Sequence, residues 1–364
     1  MEKKTCLYDK HIALGAQMSP FGGFIMPILY SGIVAEHNAV RGSVGVFDVS
    51  HMGEIFVSGP DTEKFVNHIF TNQIEGMEPG KILYGMMLYE NGGTVDDLLV
   101  YKEFEVNHFL LVVNAANIDK DYAWIVSKAE GYDVRIDNDS ENWAQIALQG
   151  PDAEKTLENV TGLQLSDIEF YHFKDFEKDG KRMIISRTGY TGEDGFEVYS
   201  TPDVIIGLWD SLLQAGVVPC GLGCRDTLRF EAGLPLYGHE LDAETSPVEA
   251  GLGMFAKPEN KEEFIGRDAL VKQKADGVQK KLIGIEIEDN AIPRAGYTVL
   301  DENGNEVGCV TTGYHSISLD KSVCMAYVKP SHSALGTPLS VQIRRKVFPG
   351  KVVKKRFYTP NYKK

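Results

Sequence analysis

At 364 residues the chain can hold two or three domains with ample core, and its 43% hydrophobic and 24% charged content is ordinary for a water-soluble protein. A formal net charge of -15 argues against general nucleic-acid binding, and no apolar run is long enough to span a bilayer. The first residues lack an apolar signal core or an Arg/Ser-rich transit composition, and the five cysteines are scattered and odd in number, so a reduced, cytoplasmic protein without structural disulfides is expected.

In chain order, Pro20 to Pro27 is an apolar entry segment punctuated by glycine and proline, and Ile33 to Arg41 has helical spacing. Gly45 to Met52 leads into a strand over Glu54 to Val57. Ser58-Gly59-Pro60-Asp61 then opens an amphipathic helix, Thr62 to Phe70, with Phe65, Val66 and Ile69 on one face. The pattern returns as Gln149-Gly150-Pro151-Asp152 before a helix over Ala153 to Val160. A degenerate third copy, Ser200-Thr201-Pro202-Asp203, precedes a helix over Val204 to Ala215. Proline and aspartate suit a first helical turn, where N–H groups lack partners and the dipole favours negative charge.

Between the first two copies, Ile82 to Tyr89, Thr94 to Tyr101 and Phe109 to Val113 read as a three-stranded meander. Its first turn is Asn91-Gly92-Gly93, and its middle strand carries consecutive acids, Asp96 and Asp97. Alternation along a strand sends the two carboxylates to opposite faces. An acid in an otherwise apolar strand is unfavourable unless it is paired or has a task. The plainer alternative is that one is solvated and the other caps the turn.

Repeated strand–turn–helix units up to about Lys280 predict an α+β fold with largely antiparallel sheets. No Gly-x-Gly-x-x-Gly follows a strand, which argues against a dinucleotide-binding half. Asp268 to Lys281, polar and lysine-rich, reads as a linker. Strands are expected over Leu282 to Ile287, Glu306 to Thr311, Val323 to Val328, Pro338 to Arg344 and Lys351 to Tyr358, together a small all-β barrel. From Thr337 onward there are nine basic residues and no acids, so with -15 overall and +9 there, -24 remains on the rest. A surface of Arg344, Lys346, Lys351, Lys354 and Lys355 could receive an acidic partner, or could simply guard a sheet edge.

Three further stretches can carry chemistry. Arg187 to Glu197 joins two strands through a glycine-rich turn, but Glu193 and Asp194 would repel an anion, so a phosphate cradle is rejected. Glu197, next to Phe196 and near Tyr190, can accept paired hydrogen bonds from an amidine-like N–C–N edge such as a pterin presents. It can equally be a solvent-facing strand acid. Gly221 to Leu234 reads as a helix with Arg225 and Arg229 on one face. Arg225 can clamp a carboxylate, whereas Arg229 and Asp226 can pair on the helix surface. Cys220 and Cys224 lack the further ligands of a zinc site, and His51 is expected to pack or hydrogen-bond locally.

Five blocks together resemble the glycine cleavage T-protein (aminomethyltransferase) family: Phe47 to Met52, Gly92 to Leu98, Gly189 to Glu197, Cys224 to Leu234 and Tyr358 to Tyr362. The resemblance implies a three-domain cloverleaf around a central folate channel. Residues 1–50 with 141–270 would form the folate-binding domain, 51–140 an inserted α+β subdomain, and 281–364 the barrel. It implies transfer of methylene from an aminomethyl-dihydrolipoyl arm on H-protein to tetrahydrofolate with release of ammonia. Asp97 falls on the family's essential carboxylate, Glu197 on its pterin-binding acid, and Arg225 and Tyr362 on further substrate contacts. Met52, Tyr84, Asn114, Tyr190 and Tyr237 are carried over as additional folate-site residues. Tetrahydrofolate and lipoylated H-protein are thus the implied co-substrate and partner, with no metal, flavin, nucleic acid or membrane. One departure is Met254, where many relatives are aromatic. The alternatives are a non-catalytic folate-binding protein and a folate-dependent demethylase of the same fold.

Overall fold

The computed structural model describes residues 2–363. The chain begins with helix α1 (Tyr8–Ala13), hairpin strands β1 (Gln17–Phe21) and β2 (Phe24–Leu29), helix α2 (Ile33–Gly42) and strand β3 (Gly45–Asp48). The predicted helix matches α2 to within a residue. β3 lacks a sequence signal because all four of its residues are buried, so no polar alternation marks it. Its Asp48 accepts hydrogen bonds from Thr5 Oγ1 (2.6 Å), the Ser50 amide (2.9 Å) and His11 Nε2 (2.9 Å), which ties the N-terminal segment down.

Two successive units then share one topology. The first comprises β4 (Gly53–Ser58), α3 (Thr62–Ile69), β5 (Ile82–Leu88), β6 (Thr94–Lys102), β7 (His108–Val113), α4 (Ile118–Ser127) and β8 (Arg135–Asn138), in sheet order β5-β6-β7-β4-β8. The second comprises β9 (Ala144–Gln149), α5 (Ala153–Thr161), β10 (Phe173–Lys178), β11 (Lys181–Ser186), β12 (Gly195–Ser200), α6 (Pro202–Gln214) and β13 (Val218–Pro219). Its order is β10-β11-β12-β9-β3-β13, so β3 is inserted between β9 and β13, with the pair β3–β13 parallel. The meander expected from the sequence is β5-β6-β7.

The first two Gly-Pro-Asp copies open these two units and are equivalent. The third precedes α6, whose counterpart in the first unit is α4, so it is a local likeness and not a third unit. Nor do the aspartates cap their helices. Asp61 Oδ2 accepts the Asp133 amide (2.9 Å) and Asp152 Oδ2 accepts Ser43 Oγ (2.8 Å). The preceding glycines, at φ +124° and +134°, allow this approach. A Cβ on Gly59 would sit 2.6 Å from the Asp133 carbonyl, and one on Gly150 2.2 Å from that of Ser43. The motif docks a distant segment against a helix start.

Alternation gives each sheet two buried faces. Leu98, Val100, Leu111 and Val113 join Phe65, Val66 and Ile69 of α3 in one core, while Ile146, Leu148, Phe196 and Val198 join Leu157 of α5 and Trp209 of α6 in another. The opposite faces meet each other, with Tyr101, Leu110 and Val112 packed on Phe173, Ile184 and Tyr199. The two sheets therefore clasp a shared layer, and this layer leads to the site.

Helix α7 (Leu222–Glu231) follows β13, entered through Gly221 as the sequence predicts. The segment after it folds back on the β5–β6 hairpin, where the Thr94 amide donates to the Asp242 (3.0 Å) and Thr245 (3.1 Å) carbonyls. A Cβ on Gly93 would lie 1.8 Å from the Ala243 carbonyl oxygen, so that crossing needs glycine. The expected linker over 268–281 is instead largely helix α8 (Arg267–Asp276). Its polar composition hides it, since only Leu270 is buried, in a cluster with Met86, Leu88 and Leu241.

The barrel closes in the order β14-β17-β16-β15-β18-β19. Its strands are β14 (Lys281–Ile287), β15 (Thr298–Leu300), β16 (Glu306–Ser316), β17 (Lys321–Val328), β18 (Pro338–Ile343) and β19 (Lys346–Val353). The short β15 is not foreseen, and the last strand begins and ends five residues before the predicted span. Residues 354–363 leave the barrel and return to the second unit, where the Asn361 amide donates to the Gly192 carbonyl at 2.8 Å. Among the described residues no helix is long and apolar enough to cross a membrane.

Candidate functional site

Asp96 and Asp97 do point to opposite faces of β6. Asp96 is fully buried towards the first unit's helices, and Asp97 lies on the face shared between units. Tyr84, on the paired strand β5, donates its hydroxyl to Asp97 Oδ2 at 2.8 Å, and Asn114 Nδ2, just beyond β7, donates to Asp97 Oδ1 at 3.1 Å. Burial, and next the Asp96 carboxylate behind it, push the Asp97 carboxyl up to about 7, while the Tyr84 and Asn114 bonds pull the other way. The Tyr84 hydroxyl is raised in turn by burial and by Asp97. Phe255 meets the Tyr84 ring edge-on, with centroids 4.9 Å apart, whereas Met254 is 67% exposed. An aromatic contact next to Tyr84 is thus supplied by Phe255, one position after the departure at Met254.

Glu197 is not a solvent-facing acid. It is buried on the shared face, and Thr188 Oγ1 donates to its Oε2 at 2.5 Å. Its other oxygen accepts no hydrogen bond from the described residues. Burial raises its proton affinity, which Thr188 and the charge of Arg225 partly offset. A hydroxyl chain runs behind it, with Thr188 Oγ1 2.7 Å from Ser186 Oγ, then Tyr101 OH at 3.1 Å and Tyr199 OH at 2.9 Å beyond. Glu197 is thereby fixed to a strand of the first unit.

Arg225 has its guanidinium 4.5 Å from the centre of the Tyr190 ring and no ion-pair partner among the described residues. Burial lowers its proton affinity, with Tyr190 and Glu197 compensating. Tyr190 itself is anchored by its hydroxyl to the Pro235 carbonyl. His51 packs edge-on between Phe21 and Phe24, as expected, but its Nδ1 finds no partner among the described residues. Burial, and then Arg225, lower its proton affinity. Met52 contacts both neighbouring cores. Tyr362 stacks on Phe170 at 4.6 Å, and Tyr237 donates to the Thr94 carbonyl (3.3 Å) with Lys120 5.0 Å above its ring. Most of the residues singled out in the sequence thus connect. Tyr84, Asp97 and Asn114 form one hydrogen-bonded group, and Glu197, Arg225, Tyr190 and His51 interact as a second. Tyr237 and Tyr362 take part mainly through structural contacts.

The acids of the glycine-rich turn are structural. Asp194 accepts from buried Arg187 (2.9 Å), and Glu193 accepts from Arg41 (3.0 Å) and Tyr358 (2.6 Å). Arg41 also reaches Glu231 at 3.3 Å and lies over the Tyr358 ring at 3.8 Å, a junction of three segments that nothing local in the sequence announces. Arg229 does not pair on a helix surface. It is completely buried, bound to Asp226 (2.7 Å) and to Glu240 (2.8 Å). All five cysteines are free, and among the described residues no cluster of three His, Cys, Asp or Glu could hold a metal. In the basic region Lys355 turns inward and donates to the Ala250 carbonyl, and burial lowers it to about 8. The exposed basic surface is therefore carried by Arg344, Lys346, Lys351 and Lys354.

Two tandem α+β units facing a shared carboxylate site, with a closed barrel beside them, define the class to which the comparisons point. Residues 7–260 match the model of the GCVT N-terminal domain and residues 280–359 that of the glycine cleavage T-protein C-terminal barrel domain. The chain belongs to the glycine cleavage T-protein family. An aminomethyltransferase of Alkaliphilus oremlandii (strain OhILAs) is 50% identical over 368 residues, covering 100% of this chain and 99% of the relative. That of Lysinibacillus sphaericus (strain C3-41) is 49% identical over 98% of each. The crystal structure of glycine cleavage system aminomethyltransferase T from Bartonella henselae superposes with a TM-score of 0.95 at 31% identity, over 100% of both chains.

Proposed function

We infer that the chain is the aminomethyltransferase of a glycine cleavage system. It moves the methylene of an aminomethyl group, carried on the dihydrolipoyl arm of H-protein, to tetrahydrofolate, and ammonia is released. The observation that carries this reading is the Asp97 carboxyl, held by Tyr84 and Asn114 on the shared face, in a chain that covers its aminomethyltransferase relatives from end to end.

Tetrahydrofolate supplies the ring nitrogen that accepts the methylene. The residues present fit such a ligand, since among the described residues one Glu197 carboxylate oxygen has no hydrogen-bond donor and the Arg225 guanidinium has no ion-pair partner. Glu197 accepts the N–C–N edge of the pterin, and Arg225 binds an anionic or carbonyl group of the substrate. Asp97 stabilises positive charge developing at the aminomethyl carbon and orients the attacking group, and with a pKa near neutrality it can take up or return a proton. Met52, Tyr190, Tyr237 and Tyr362 shape the walls. A cytoplasmic setting is part of this reading, in keeping with five free cysteines.

The test is formation of methylene-tetrahydrofolate by the purified protein, expected only when aminomethyl-loaded H-protein is supplied. Formation from dimethylglycine or sarcosine, or none from loaded H-protein, would refute the reading. Glu197→Ala is expected to weaken tetrahydrofolate binding by about 2 kcal/mol, the scale of losing a charged hydrogen-bond partner, and unchanged affinity by calorimetry would remove Glu197 from the pterin site. The exposed basic surface fits H-protein as an acidic partner. Reversing Lys351 and Lys354 to Glu should raise the KM for H-protein at low salt and leave that for tetrahydrofolate unchanged. Wild-type kinetics with H-protein would reduce the surface to a guarded sheet edge.

A further inference from the structure

We propose that Asp96 is a positioning residue for Asp97, acting from the opposite face of β6 through the side chain of Asn114. The proposal rests on reading Asp97 as the catalytic carboxylate. Asp96 Oδ1 accepts Asn114 Nδ2 (2.9 Å) and Asn117 Nδ2 (2.8 Å), and its Oδ2 accepts the Asn114 amide (3.0 Å). The same Asn114 Nδ2 donates across the strand to the Asp97 carbonyl (3.0 Å) and to Asp97 Oδ1 (3.1 Å). One amide group therefore touches both acids, although alternation places them on opposite faces. It cannot turn away from Asp97 without breaking bonds to Asp96. A carboxylate is acceptor-only and uses every one of these donors, whereas an amide in its place would turn an N–H towards at least one of them.

A second acid supports Asp96 from behind. Asp121, on α4, is fully buried. Its Oδ1 accepts Lys120 Nζ (2.7 Å), while its Oδ2 has no donor among the described residues. Burial, and next the charge of Asp96 against it, raise its proton affinity far above the carboxylate range. Asp121 is thus a second buried acid close to Asp96, held on its far side by Lys120. Lys120 also donates to the Val95 carbonyl, which binds this assembly to the backbone of β6 itself.

The charge of Asp96 beside Asp97 is its second effect. The groups facing Asp97 are Tyr84 on β5, Tyr190 from the turn between β11 and β12, and Asp96 behind it, with Asp121, Lys120 and Tyr237 around Asp96. Of these only Asp96 places a negative charge close enough to hold the Asp97 proton more tightly. Asp96→Asn should then do two separable things. Asn114 loses its anchor, so kcat should fall at least tenfold while tetrahydrofolate affinity stays within about twofold. The acidic limb of the kcat/KM profile should move to lower pH by about one unit, because a like charge has gone.

The measurement is a pH profile of methylene transfer for wild type, Asp96→Asn and Asp97→Asn, with tetrahydrofolate affinity measured alongside. Wild-type kcat and an unmoved acidic limb in Asp96→Asn, with Asp97→Asn inactive, would overturn the positioning role and leave the reading of Asp97 standing. If Asp97→Asn is itself fully active, the reading of Asp97 fails, and the role of Asp96 falls with it. Should Asp96→Asn not fold, Asn117→Ala removes one donor from Asp96 and leaves the strand untouched. It should lower kcat several-fold at constant folate affinity, and wild-type kcat there would overturn the proposal.

Discussion

Asp97→Asn is expected to lower kcat by at least ~10²-fold, the scale of removing one preorganised electrostatic group from a site shielded from water. Folding and tetrahydrofolate affinity should survive, because the single amide oxygen can keep the Asn114 donor while the Tyr84 hydroxyl, which accepts as well as donates, turns to take the amide N–H. The wild-type profile carries the complementary signature. With the carboxyl near 7, activity that needs the ionised form should rise as pH passes through neutrality, and the variant should lack that limb. The sign for stability is opposite. A carboxyl whose folded pKa lies above its unfolded value of about 4 contributes stability that is complete below that value and is lost as pH rises through the folded pKa. Asp97→Asn should therefore unfold no more easily than wild type at pH 8, and more easily only in acid. Strong destabilisation at pH 8 would show that Asp97 serves the fold and not the reaction.

The largest effect on stability is expected at Arg229. Its guanidinium joins α7 to the loop carrying Glu240 and to Thr312 of the barrel, and both Arg229 and Glu240 are fully buried. Glu240 also accepts Thr311 Oγ1 (2.6 Å) and Thr312 Oγ1 (2.7 Å). Arg229→Met leaves that carboxylate buried without its cation and should cost about 3–5 kcal/mol in urea unfolding. Adding Glu240→Gln should recover a substantial part, since the uncompensated charge is then gone. If Arg229→Met costs less than about 1 kcal/mol, the pair is solvated and the barrel is not tied to α7 through it.

These two residues mark where the sequence can and cannot be read. Asp97 was legible because strand alternation and a glycine turn are local, so two adjacent acids in an apolar run already imply that one faces something special. Glu197 was legible as a candidate for the same reason, although its burial depends on the hydroxyl chain reaching it from Tyr101. Arg229 looked like half of a surface pair, because Asp226 lies one turn away while Glu240 and Thr312 come from a loop and a barrel strand. Helix α8 was hidden for the opposite reason, since a helix with one buried residue carries almost no periodic signal. Asp96 illustrates a third limit. Alternation correctly turned it away from Asp97, but a single asparagine beyond β7 joins the two faces, and no pattern within β6 could show that.

The unpaired guanidinium of Arg225 has a practical consequence for anyone handling the protein. A cation held against an aromatic ring, without an ion-pair partner among the described residues, is open to a small anion from solution. Phosphate, sulfate and citrate buffers are therefore expected to compete with the substrate, and apparent affinities in them should be weaker than in a zwitterionic buffer at equal ionic strength. Comparisons between preparations are meaningful only when the buffer anion, and not merely the salt concentration, is held constant.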